Sequence, residues 1–189
     1  MSYKILLVSG KICVGKTTLA KLFKDHFGYR RVSSRELLLL FPGAQEVENE
    51  RTSLQRFGSE LDDKTQGSWL LNGLMQVVNK YSYEPGFIVD AVRSQAQIDY
   101  IRRHFGRSVV HVHLKAPINT LSERYEFRKS QGTGIIECEN YDKAEKDDVE
   151  CNIDSLEDIA DIVINTHKTS EKDMYVPVAA RLGVLSNPY

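Results

Sequence analysis

The stretch GKICVGKT over residues 10–17 restricts this chain more than any other part of it. It fits the pattern GxxxxGK followed by Ser or Thr at every fixed position. The glycines let the backbone turn so that successive amide hydrogens point inward at phosphate oxygens. The helix that follows aims its positive N-terminal end at the same place. Lys16 supplies a mobile positive charge for the outer phosphates of a nucleoside triphosphate, and Thr17 offers a hydroxyl to the magnesium ion that accompanies ATP. Context strengthens the match. An apolar run, Ile5–Ser9, precedes the loop, and Leu19, Leu22, Phe23 and Phe27 recur after it at helical spacing. The expectation is a buried strand, a phosphate-cradling turn and a helix over Lys16–Phe27, ended by Gly28. Gly10, Lys11, Ile12, Cys13, Val14, Gly15, Lys16, Thr17 and Thr18 are then the nucleotide-binding residues.

The rest of the chain alternates in the same way. Ser33 with Glu36 forms a capping box for a helix over Arg35–Leu40, and residues 45–82 read as helices interrupted near Gly58 and Gly67. Phe87–Asp90 and Val109–Leu114 are buried strands. Between them, Ile98, Ile101 and Phe105 mark a helix stopped by Gly106. Pro117 opens a helix along which Leu121, Tyr125 and Phe127 lie. The last strand falls within Ile159–Asn165, and Lys172–Leu182 closes the chain as a helix. Strands alternating with helices point to a parallel sheet covered on both faces. With 189 residues, one domain spanning 1–189 is expected.

Composition excludes several classes of function. The 25 basic and 26 acidic residues nearly cancel, which gives no overall reason to expect nucleic acid or membrane binding. No apolar run is long enough to span a bilayer, and the apolar start of the chain suits a strand better than a signal peptide. Cys13, Cys138 and Cys151 lack metal-ligand spacing and an even count, so reduced thiols in a cytoplasmic protein are expected.

In open α/β sheets ligands sit beyond the carboxyl ends of the strands, and Phe87–Asp90 delivers Asp90 to that edge. Asp90 either orients a magnesium-bound water or takes a proton from an acceptor hydroxyl, or it merely caps the following helix. Arg93 either grips an anionic acceptor with its forked guanidinium or is a solvated charge at the helix start. With these residues in hand, the chain resembles the P-loop small-molecule kinases: nucleoside monophosphate kinases, phage-type deoxynucleotide kinases and dephospho-coenzyme A kinases. GKICVGKT, FIVDAVRSQAQIDYIRRHFG, VVHVHLKAPINTLSERYEFRK and ADIVINTHKTSEKD carry the resemblance in order. It implies a P-loop NTPase three-layer sandwich with a mostly parallel sheet, acceptor-binding helices inserted over about 33–82, and a lid over about 124–150. It implies ATP with Mg2+ as donor and a small phosphorylated acceptor.

Within that resemblance, Arg35, Arg51 and Arg93 are the candidate acceptor clamps, with Arg56 a weaker one, and Thr17 and Asp90 the metal-facing groups. Lys16, Asp90, Arg93, Arg124 and Arg128 form the candidate catalytic set. Arg124 and Arg128 stand four apart on one helix face, either reaching the transferring phosphates from the lid or sharing a solvated face with Glu123, Glu126 and Lys129. The lid segment is acidic between Glu137 and Asp148, an unexpected neighbour for an anionic substrate, and it lacks the cysteine spacing of a zinc-bearing lid. Asn165–Lys168 lies at the right edge to border the donor base or is a plain turn. His111 and His113 share one strand face and are expected to be satisfied internally rather than to hold a metal. Trp69, Tyr81 and Tyr83 read as core or edge aromatics. A nucleoside or deoxynucleoside monophosphate is the leading acceptor. A dephospho-coenzyme-A-like acceptor and a slowly hydrolysing regulatory module are the alternatives.

Overall fold

The computed structural model describes residues 3–44, 51–132, 141–142 and 153–185. Five parallel strands form one sheet: β1 (Lys4–Ser9), β2 (Arg30–Ser33), β3 (Gly86–Asp90), β4 (Val109–Lys115) and β5 (Ile162–Asn165), in the spatial order β2-β3-β1-β4-β5. The described strands are all parallel, where the sequence led us to expect a mostly parallel sheet. Helices α1 (Lys16–Phe27), α2 (Ser34–Leu38), α3 (Arg51–Thr65), α4 (Ser68–Lys80), α5 (Gln95–Phe105), α6 (Ile118–Ser130) and α7 (Glu171–Leu182) surround it.

The alternation of side chains along a strand divides the interior into two layers. Leu6 and Val8 of β1 face one way and pack with Leu19 and Phe23 of α1, Tyr125 of α6 and Val178 of α7. Ile5 and Leu7 face the other way, toward Leu37 of α2, Leu70 and Leu74 of α4, and Ile98 of α5. Both faces of β1 are therefore dry, which is why its sequence is an unbroken apolar run rather than an alternating one.

Local chemistry sets the helix ends. Ser33 Oγ accepts the Glu36 amide at 3.1 Å, as the capping box requires, while the Glu36 carboxylate pairs with Arg30 at 3.5 Å. α2 is shorter than its sequence suggested and ends at Leu38. Gly58 does not interrupt the inserted helices: α3 runs through it, with Leu38 carbons 3.6 Å from where a Cβ would stand. Gly67 does interrupt them, in the left-handed conformation at φ 84° between α3 and α4. α7 tolerates Pro177 in its interior. None of the helices among the described residues is long and apolar enough to cross a membrane.

Candidate functional site

Every strand releases the chain at the same edge of the sheet, and the phosphate loop leaves β1 there. Gly10 adopts φ 130°, and a Cβ on it would stand 2.3 Å from the Leu114 carbonyl oxygen, so the loop passes β4 too closely for any side chain. Cys13 is held at φ 63°, a left-handed conformation that few non-glycine residues adopt. The Lys16 ammonium crosses the loop and donates to the carbonyls of Gly10 at 2.5 Å and Lys11 at 2.8 Å. Lys11 pairs at 3.1 Å with Asp154, in the short 3-10 turn Ile153–Glu157, and Lys115 at the end of β4 pairs with Glu157.

Three clefts line up along this edge. The middle one, about 240 Å³, is lined by Ile12 to Thr18 of the loop, together with Arg31, Arg35, Asp90 and Arg128. One flanking cleft, about 660 Å³, shares Cys13, Val14, Gly15, Thr18 and Arg128 with it and adds Arg124, Phe127, Thr166 and Met174. The other, about 440 Å³, joins the middle cleft through Ser34 and Ala91 and is walled by α3, α4, α5 and Leu156, with Asp62, Trp69, Arg93 and Gln97 among its residues. The arrangement sets the phosphate loop between two further clefts.

The sequence-derived residues distribute over this cleft as follows. Thr17 and Asp90 line the phosphate cleft, as do Arg35 and Arg128. Arg93 lies in the acceptor-side cleft, with its backbone amide donating to Gln97 Oε1 at 2.9 Å. Arg124 points to the turn after β5, donating to Thr166 Oγ1 at 3.0 Å and to the Thr166 carbonyl at 2.9 Å. That turn belongs to the segment 165–168, and it walls the nucleoside-side cleft. Phe127 is 68% exposed and lines the same cleft instead of the core that holds Leu121 and Tyr125. Arg51 opens α3, but its side chain falls outside the described residues, as does the acidic segment 143–150 with most of 133–142. Cys138 and Cys151 also fall outside. Arg56 is exposed on α3 and lines none of the three clefts.

Asp90 does not cap α5, because Ser94 does so through its hydroxyl. Its carboxylate is instead 4% exposed and accepts two hydrogen bonds from Arg31, Nε at 2.8 Å and Nη2 at 2.5 Å, both on Oδ2. Sequence reasoning missed Arg31. The β2–β3 register sets Arg31 opposite Ile88, which makes Asp90 its diagonal neighbour on the same sheet face. The available signal was Val32, whose burial in the opposite layer turns Arg31 toward α1 and the loop.

His111 and His113 do face one way, and both meet the Ser9 hydroxyl, through Nε2 at 2.7 Å and Nδ1 at 2.9 Å. Burial drives the His111 pKa down to about 4, with the positive charge of Arg102 lowering it further, and burial lowers that of His113 as well. Two neutral imidazoles therefore brace β1 against β4 directly beneath the phosphate loop. His111 Nδ1 is buried and has no close hydrogen-bond partner among the described residues, although the nearby Ile159 backbone partly offsets the lowering of its pKa.

Among the described residues there is no cluster of three or more His, Cys, Asp or Glu suited to holding a metal ion. A magnesium ion delivered with ATP needs no such cage: it takes one or two protein groups plus phosphate oxygens and water. The Thr17 hydroxyl and the Asp90 carboxylate, in one cleft, fit that requirement.

Fold and loop together define a P-loop α/β protein with a cleft on each side of the phosphate loop. Residues 6–144 match the AAA domain family, and the chain belongs to that family. Solved structures share its fold at low identity. A gluconokinase from Sinorhizobium meliloti 1021 is 16% identical with a TM-score of 0.60, over 97% of this chain and 94% of its own. A tunicamycin resistance protein from Deinococcus radiodurans is 20% identical with a TM-score of 0.56, over 99% of each chain. A shikimate kinase from Aquifex aeolicus is 12% identical with a TM-score of 0.51, over 95% of this chain and 96% of its own. No curated protein matches the chain in sequence.

Proposed function

We propose that this protein transfers the terminal phosphoryl group of ATP to a small phosphorylated acceptor, a nucleoside or deoxynucleoside monophosphate. The observation that carries the reading is the lining of the middle cleft: Lys16, Arg31, Arg35 and Arg128 border about 240 Å³ of space, with Asp90 the carboxylate among its described lining residues. So many cations around so small a volume suit two phosphate groups meeting there better than one.

The loop amides and Lys16 hold the outer phosphates of ATP, and Arg124, Phe127, Thr166 and Met174 wall its nucleoside. Magnesium, when bound with ATP at Thr17 and Asp90, supplies further charge neutralisation to those phosphates. An oxygen of the acceptor phosphate attacks the terminal phosphorus, the bridging P–O bond breaks, and ADP leaves with the bonding pair. That oxygen is already ionised, so no general base is required, and Asp90 is free to remain with Arg31. Most of the catalytic work is then positioning and stabilisation of spread negative charge, for which Arg31, Arg35 and Arg128 are suited.

A second reading is transfer to a hydroxyl, the kind of acceptor implied by the names of the gluconokinase and shikimate kinase neighbours. Asp90 favours it through its position at the carboxyl end of β3 beside the loop, where a base would stand once Arg31 withdrew. ATP consumption separates the two readings. The panel comprises nucleoside and deoxynucleoside monophosphates, dephospho-coenzyme A, gluconate and shikimate, with Lys16→Ala as the blank. The expected result is strong stimulation by a monophosphate, reduced at least roughly 100-fold in the blank. Stimulation by a hydroxyl acceptor alone overturns the first reading in favour of the second. ATP binding with no acceptor dependence removes both and leaves a regulatory nucleotide-binding module.

A further inference from the structure

The acceptor-side cleft contains a carboxylate that pairs with no cation among the described residues. Asp62 of α3 lines it, and its Oδ1 accepts from Trp69 Nε1 at 2.6 Å and Gln97 Nε2 at 2.9 Å. Among the described residues its Oδ2 accepts only from Gln97 Nε2, at 2.9 Å, and no lysine or arginine pairs with Asp62. The orientation of Gln97 is forced. Its Oε1 accepts the Arg93 amide, so its nitrogen must face the carboxylate. Gln97 is 1% exposed and cannot turn away to water. The surrounding backbone is equally fixed. Gly67, at φ 84°, lets the α3–α4 turn sit so close to α5 that a Cβ there would stand 3.0 Å from the Gln97 backbone nitrogen.

A carboxylate offers about four lone-pair sites, and neutral N–H groups occupy three of them here. The remaining capacity is on Oδ2, on a side chain bordering a cleft of about 440 Å³. A held, unbalanced carboxylate of this kind attracts an N–H donor and repels carbonyl oxygens. Arg93, whose backbone amide bonds to the same glutamine, borders the same cleft.

We infer that the acceptor donates an N–H to Asp62 Oδ2. Resting on the monophosphate reading of this site, the inference is that the acceptor base carries an exocyclic amine, as cytosine, adenine and guanine do. Uracil and thymine present a ring N–H flanked by two carbonyls, and those oxygens oppose the carboxylate.

The test is kcat/KM of the full chain with paired acceptors that differ by an exocyclic amine: dCMP against dUMP, AMP against IMP, and GMP against IMP. In whichever pair is most active, the amine-bearing partner is expected to be better by about 10- to 100-fold, the range for a hydrogen bond to a charged group. Asp62→Asn shrinks that ratio mainly through the KM of the amine-bearing acceptor, whereas Glu60→Gln, on an exposed residue of α3 that lines none of the three clefts, leaves it. Trp69 is the only tryptophan of the chain and bonds to Asp62. Its fluorescence in the wild-type protein is therefore expected to change on titration with the amine-bearing monophosphate and much less with its keto partner. This readout stands even if Asp62→Asn fails to fold. Equal or better use of the keto partner overturns the inference and leaves the monophosphate reading intact. No stimulation by any monophosphate overturns both.

Discussion

Replacing Arg31 by methionine should destabilise the fold and, in the same protein, weaken the phosphate site. The side chains of Arg31 and Asp90 are 42% and 5% exposed, so the pair belongs neither to the surface nor to the deep interior. Breaking a buried pair costs about 3–5 kcal/mol, and an exposed pair is worth about 0.2–1 kcal/mol. With one partner buried and the other half in solvent, about 2 kcal/mol is the appropriate middle value. At roughly 2–4 °C per kcal/mol for a chain of this length, the melting temperature falls by about 4–8 °C.

The cause of the loss can be isolated, because the carboxylate is the group left stranded. Asp90→Asn alone leaves Arg31 able to hydrate and should cost less than Arg31→Met. The double variant should cost less than the sum of the singles by about 1 kcal/mol or more. Urea unfolding at neutral pH, with unchanged m-values, measures all three. If the coupling is below about 0.5 kcal/mol, the two side chains do not depend on each other and the account of Arg31 fails. In kinetics, Arg31→Met should raise the KM for the monophosphate acceptor more than the KM for ATP. The reverse pattern would assign Arg31 to the donor side.

Two further outcomes follow from the loop and the strands beneath it. Gly10→Ala combines φ 130° with a Cβ 2.3 Å from the Leu114 oxygen, whereas Gly183→Ala has φ 68° and open space. The first is expected to cost about 2–4 kcal/mol and abolish ATP binding, and the second about 1 kcal/mol with binding retained, both read by urea unfolding and nucleotide titration. The folded pKa of His111 lies at about 4 against 6.5 unfolded, so its contribution is complete above pH 6.5 and is lost as the pH falls toward 4. About 2 kcal/mol of that stability is gone at pH 5, and His111→Asn should flatten the pH dependence of the urea midpoint, with His113 contributing in the same direction. A pH dependence unchanged by the substitution would show that His111 charges without unfolding the sheet.

The parts of this molecule that were legible from sequence are those whose signals are local. β1, the loop and α1 announce themselves within one continuous stretch of chain, because a dry strand, a tight turn and an amphipathic helix each leave a pattern over adjacent residues. Gly58 misled because a glycine weakens a helix without forbidding it, and packing over Leu38 keeps α3 intact. Phe127 sits on its helix as the pattern placed it, but the pattern does not show that it borders a cleft rather than joining Leu121 and Tyr125 in the core. Arg31 and Asp90 are 59 positions apart, and Asp62 and Gln97 are 35 apart. No pattern along the chain records such meetings, which depend on strand register and on the angle between inserted helices.

Those long-range meetings decide the electrical character of the cleft, and therefore what it can hold. Its middle is lined by Lys16, Arg31, Arg35 and Arg128, while the cleft proposed for the acceptor holds Asp62, which pairs with no cation among the described residues. On the proposed reading, a near-neutral chain thus places basic and acidic groups at different ends of one cleft, a gradient that overall charge does not reveal. An acceptor with an anion at one end and an N–H donor at the other is held in a single direction along such a gradient, because the reversed molecule would face repulsion at both ends. Gln97 makes that discrimination rigid, since it ties the Asp62 carboxylate and the Arg93 backbone to one side chain. Shortening it in Gln97→Ala removes both ties at once, so orientation should be lost as a unit: acceptor KM rises and the amine preference collapses together. A variant that lost only one of the two would show that the anion and the donor are read independently, and that the gradient is incidental.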